Sequence, residues 1–117
     1  MRENLKPMLG KVITVEGTFV NVKKKAGGKR LVLFKNITLL NTDKVIADHI
    51  WISATKETMK YESGERVIFC AEVYKYKKKA DIQGFDILVD SYGLTKIRNI
   101  RRIEEYEKRL QDAIWVR

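Results

Sequence analysis

The chain of 117 residues contains one cysteine, one histidine and one proline. A single cysteine, Cys70, excludes an intrachain disulfide and points to a reducing compartment. With His49 as its only companion, it cannot supply the four Cys or His ligands of a structural zinc site, and no metal or other cofactor is expected. Pro7 is the only proline, so no Pro-rich linker divides the chain. No apolar run approaches the ~20 residues of a membrane-spanning helix. The first ten residues lack the apolar centre of a secretory signal, so a cytoplasmic protein without a membrane partner is expected. No internal repeat, phosphate-binding glycine loop or dinucleotide fingerprint is present.

What the sequence has in excess is positive charge. Its 24 Lys and Arg against 15 Asp and Glu give a net charge of +9. Such a surplus favours a polyanionic partner, nucleic acid first. The chain is 44% hydrophobic, enough for one domain with one modest core.

Residues 12–22 alternate β-branched and aromatic side chains and change parity at Gly17. They read as a long first strand with a bend there, Ile13, Val15 and Phe19 on one phase and Val20 and Val22 on the other. A Gly27-Gly28 turn flanked by Lys23, Lys24, Lys25, Lys29 and Arg30 leads into a second strand over 31–40. The 41–44 turn leads into a third over 45–52. Residues 55–61 lack strand alternation and are placed in a short helix before Gly64.

Residues 65–76 form a clear fourth strand, with Val67, Phe69, Ala71 and Val73 on its core phase. A second basic turn, Lys75-Tyr76-Lys77-Lys78-Lys79-Ala80-Asp81, precedes a fifth strand over 82–90. From Lys96 the apolar spacing becomes helical, through Ile100, Ile103, Leu110 and Ile114. The expected organisation is an N-terminal segment (1–10), a β-domain (11–97) and a C-terminal amphipathic helix (98–117). That helix packs on the domain or binds a partner. Ile114-Trp115-Val116 would form an apolar end to it, and Arg98, Arg101 and Arg102 would extend the basic surface.

Five strands with a helix between the third and fourth, Gly17 in a long first strand, Asp48-His49-Ile50-Trp51 on the third and residues 64–76 on the fourth resemble OB-fold nucleic-acid-binding domains. The last two segments are similar to small uncharacterised OB-like proteins of phages and mobile elements. The resemblance implies a mainly β chain folded as a five-stranded OB-type barrel. It also implies oligonucleotide binding between the first and fourth connecting loops, which here carry the lysine runs.

The expected function is non-catalytic binding of single-stranded nucleic acid, DNA favoured over RNA. Lys23, Lys24, Lys25, Lys29, Arg30, Lys75, Lys77, Lys78 and Lys79 would contact phosphates. Trp51, Tyr74 and Tyr76 would stack on bases, with Phe34 and His49 as further candidates, because base stacking gives sequence-tolerant affinity. Neutralising about five phosphates would give a slope of log affinity against log salt of roughly −3.5. The alternative is an OB-like accessory subunit that binds a replication or primase-polymerase enzyme through the C-terminal helix. Catalysis is not expected: nothing in the spacing gathers Asp48, Glu72, Asp81, Asp86 and Asp90 into a two-metal site, and Cys70 reads as a small buried residue rather than the nucleophile of a pair with His49.

Overall fold

The computed structural model describes residues 2–115. Five antiparallel strands form one sheet in the order β3-β2-β1-β4-β5. They are β1 (Val12–Lys24), β2 (Arg30–Leu39), β3 (Val45–Ser53), β4 (Arg66–Ile82) and β5 (Phe85–Arg102). A 3-10 helix (Arg2–Met8) precedes the sheet, α1 (Lys56–Met59) joins β3 to β4, and α2 (Ile103–Trp115) follows β5. Among the described residues no helix is long and apolar enough to cross a membrane.

The alternation expected of the strands is what buries the core. Val15 and Phe19 of β1, Val32 and Phe34 of β2, Ile46, Ile50 and Ile52 of β3, and Val67, Phe69, Ala71 and Val73 of β4 are all buried. Phe34 sits at their centre, edge-on to Phe19 with ring centroids 5.7 Å apart and 5.3 Å from Phe69. The β1–β2 register shifts between Glu16 and Thr18, around Gly17. A Cβ at Gly17 would lie 2.9 Å from Ile37 Cδ1, so the absence of a side chain leaves room for the buried Ile37 beside the bend. Thr55 caps α1: its Oγ1 accepts from the Thr58 amide at 3.3 Å, and Thr58 Oγ1 accepts from the Thr55 amide at 2.7 Å.

The sheet is open. Its edge strands β3 and β5 face one another without a ladder between them. The 3-10 helix packs against both edges with Leu5 wholly buried, so side chains fill one end of the gap.

Two boundaries differ from the sequence expectation. The Lys75–Lys79 run is not a turn. β4 continues through it to Ile82, and the reversal falls at Gln83-Gly84, both at positive φ (54° and 83°), as a two-residue hairpin turn requires. Beyond Glu72, the last β4 residue paired with β1, β4 has only β5 beside it in the sheet, and the pair projects as a two-stranded arm. Second, β5 runs to Arg102, so Arg98, Ile100, Arg101 and Arg102 are strand residues and the helix begins at Ile103.

α2 leaves the sheet after its first turn. Ile103 is buried, but residues 107–113 are exposed and Leu110 is 47% accessible. Past that first turn the helix does not lie along the sheet. The Ile114-Trp115-Val116 cluster lies outside the residues whose side chains are described.

Candidate nucleic-acid interface

In an antiparallel ladder, directly opposed residues point to the same face. The pairs Asn21↔Leu33↔Trp51, Lys23↔Leu31↔Ser53 and Lys35↔His49 therefore share the face opposite Val32, Phe34, Ile50 and Ile52. On the arm, Tyr74↔Gly93, Tyr76↔Ser91 and Lys78↔Val89 share one face, opposite the one that carries buried Val73, Leu94 and Tyr92.

These outer faces meet at the open seam. There a cavity of about 390 Å³ lies between the end of β3 and the middle of β5, lined among others by Lys25, Leu31, Trp51, Tyr74, Tyr76 and Lys96. The Tyr74 and Tyr76 rings lie 5.5 Å apart and 33° from parallel. Lys23 Nζ is 5.8 Å from the centroid of the half-buried Trp51 ring. Tyr74 occupies this wall because its cross-strand partner is Gly93: a Cβ there would stand 3.0 Å from the Tyr74 ring carbon Cε1. A flat aromatic over a strand glycine is held in place by the backbone itself.

The first basic loop is closed by backbone hydrogen bonds. The Lys25 amide donates to the Lys29 carbonyl at 2.7 Å, and Gly27 and Gly28 take φ of +86° and +82°, which favour glycine. This closure brings Lys25 to the cavity, while Lys29 and Arg30 stand exposed beyond it. Lys24 is directly opposed to Arg30 and points to the face away from Lys23.

Strand geometry divides the second basic run. Lys78 shares the face of Tyr74 and Tyr76, whereas Lys75, Lys77 and Lys79 point to the opposite face. There Lys77 Nζ is paired with Asp90. That hydrogen bond, with further help from the charges of Lys77 and Lys75, holds the Asp90 carboxyl below its usual range.

Two aromatic candidates fall outside the cavity. Phe34 is wholly buried between Phe19 and Phe69 and is removed from the set, because stacking on a base needs an exposed ring. His49 is exposed on the outer face in register with Lys35, but it does not line the cavity.

Lys96 and Gly93 were missed by the sequence reading, which ended the fifth strand at residue 90. An isolated glycine within an apolar stretch is itself a sign of close approach, and Gly93 carried that sign. Lys96 Nζ sits 3.3 Å from Glu72 Oε2, a solvent-exposed pair.

Among the described residues no three or more His, Cys, Asp or Glu side chains cluster to hold a metal ion. Glu72 and Asp90 are engaged with lysines, and Asp81 Oδ1 accepts from the Gly84 amide at 3.0 Å. Cys70 contacts Thr14 Oγ1 at 3.4 Å on β4, separated in the sheet from His49 on β3 by two strands.

The seam thus joins three aromatic side chains, a lysine loop and unpaired strand edges along one open path. No known family model, curated protein or solved structure matches the chain.

Proposed function

We propose that the chain binds single-stranded DNA, without catalysis, along the seam between β3 and β5. The observation that carries this reading is the convergence of Trp51, Tyr74 and Tyr76 with Lys25 and Lys96 around one open cavity, with Lys23 over Trp51 and Lys78 further along the face of the two tyrosines. Aromatic faces accept any base, and ammonium groups beside them accept the phosphates between bases.

The strand order is that of an OB-type barrel parted along one seam. In this proposal the parting is the strand path, and the protein serves replication of a mobile element in the cytoplasm. A second reading, an accessory subunit that docks on a replication enzyme, is favoured by the exposure of α2.

The test is fluorescence anisotropy of a labelled oligothymidylate with the full chain, against the same sequence as RNA. Tight, salt-sensitive binding is expected, preferring DNA. Trp51→Ala removes one stacking platform worth ~1–3 kcal/mol, roughly a 5- to 150-fold loss of affinity. No binding by the wild-type chain, or unchanged affinity in Trp51→Ala, refutes the assignment.

A further inference from the structure

The arm beyond Glu72 has little to hold it. A two-stranded ribbon is marginal in water, and three or more strands are needed for independent stability. On its β5 side, residues 85–91 form the outer edge of the sheet and pair one-to-one with β4, without a bulge. Phe85 is 69% exposed, Leu88 62% and Ile87 42%. Proteins blunt such an edge with lysines, prolines or bulges. The β4 side of the arm has its lysine run, whereas residues 85–91 have none of the three. Residues 80–95 are the longest stretch of the chain without Lys or Arg.

The free edge is also regular in its backbone. The two-residue turn makes Ile82↔Phe85 a hydrogen-bonded pair, and the pairs at Ile87 and Val89 follow it. The amides and carbonyls of Asp86, Leu88 and Asp90 therefore point outward, away from β4.

The occupant that fits this edge is the same edge of a second copy. Copies of a chain of net charge +9 repel one another, and a stretch without Lys or Arg is where that repulsion is least. An antiparallel pair centred on Ile87 sets Phe85 opposite the second copy's Val89 and Asp86 opposite its Leu88, so an aromatic meets a β-branched side chain and no like charges are opposed. A pair centred on Leu88 would instead set Asp86 against Asp90 twice. The bodies of the two molecules also clear each other. From Ile87 to Thr95, the level at which β4 gains β1 beside it, the arm runs about 27 Å at ~3.4 Å per residue, and the two bodies lie at opposite ends of the joined ribbon. Arms added side by side in one direction would repeat every ~10 Å, less than the 21 Å of the molecule's narrowest extent.

We infer that two copies of the chain pair β5 to β5 through residues 85–89, antiparallel about Ile87, and join their arms into one four-stranded sheet across a two-fold axis. The pairing is isologous and closes at a dimer. It satisfies the outward backbone groups of Asp86 and Leu88 in both copies. It stands independently of the DNA-binding proposal, because it uses the edge of the arm and leaves the face of Tyr74 and Tyr76 open.

Sedimentation of the full chain across micromolar concentrations tests the pairing, with circular dichroism to verify that each variant is folded. The wild type is expected to dimerise. Leu88→Pro removes an outward amide that β4 does not use, and should weaken the dimer by at least 10-fold. Disulfide trapping tests the register without relying on that variant. In the pair centred on Ile87 the two Cα atoms at 87 stand about 4.5 Å apart, inside the range of about 4.4–6.8 Å that a disulfide spans. The two residues at 88 lie on a diagonal of about 7–8 Å. Ile87→Cys should therefore cross-link into a dimer on mild oxidation, while Leu88→Cys and the wild type, with Cys70 alone, should not. A monomeric wild type overturns the inference, as does a dimer that a folded Leu88→Pro leaves unchanged. Cross-linking of Ile87→Cys no faster than that of Leu88→Cys also overturns it.

Discussion

Neutralising single lysines of the 75–79 run offers a demanding test of the interface, because the strand divides that run between two faces. Lys23, Lys25, Lys78 and Lys96 line or face the seam; Lys75, Lys77 and Lys79 do not. Lys96 is held by Glu72, but an exposed pair of this kind is worth about 0–1 kcal/mol and gives way to a phosphate. Four cations releasing counterions from a single strand give a slope of log affinity against log salt of roughly −2.8, at about −0.7 per phosphate. Between 50 and 200 mM salt that slope is a loss of about 50-fold. Lys78→Ala should reduce the slope to roughly −2.1 and the loss to about 20-fold. Lys77→Ala/Lys79→Ala should leave the slope at its wild-type value, although it removes more charge. Anisotropy titrations of a labelled oligothymidylate at four or more salt concentrations measure both. If the double variant flattens the slope as much as Lys78→Ala does, net charge and not strand parity governs binding, and the face assignment is refuted.

Two further predictions concern the scaffold. Gly17→Ala places a methyl 2.9 Å from Ile37 Cδ1 inside the core and should destabilise the fold by about 1–3 kcal/mol in urea denaturation; a neutral substitution would show that the Ile37 side chain swings aside without cost. Tyr61 is 5% exposed, and its hydroxyl meets no hydrogen-bond partner among the described residues, so Tyr61→Phe should not destabilise the fold near neutral pH and should raise its stability by up to about 1–3 kcal/mol. Burial pushes the Tyr61 phenol up from 10.0, against the opposing charge of Arg102. The folded state then holds its proton more tightly than the unfolded chain, so this contribution is lost as pH rises above about 10. Tyr61→Phe should make the alkaline decline in melting temperature shallower, and an identical decline in both proteins would contradict that origin.

The first three strands, the bend at Gly17 and the short helix were legible because each follows a simple local rule. Alternation of β-branched residues names strands, and Gly64 after a patternless stretch names a stop. The outward direction of Trp51 followed from the phase of Ile46, Ile50 and Ile52, and the first lysine loop from its paired glycines.

The arm was not legible because Lys75 to Lys79 carries no apolar alternation, and consecutive cations look like a loop. Phe34 resisted assignment because a strand sequence alone does not say which neighbours meet it across the core. The end of β5 was misread for a more specific reason. On β4 the partners Ile68, Cys70 and Glu72 are two residues apart, whereas on β5 their partners Arg101, Arg98 and Thr95 are three apart. Two bulges, with Lys96 and Asn99 at φ of 54° and 56°, therefore space Ile97, Ile100 and Ile103 by three. That interval imitates a helix.

Those bulges also bear on how the protein survives with an open seam. Two unpaired strand edges are templates for other chains to add to, the route by which β proteins aggregate. On β5 the extra residues at Lys96 and Asn99 break the regular run of free amides and carbonyls, and the cations of Lys96 and Arg98 stand along the same stretch. An incoming strand would find its register interrupted twice within a few residues. The seam can thus stay open while refusing an added β-strand.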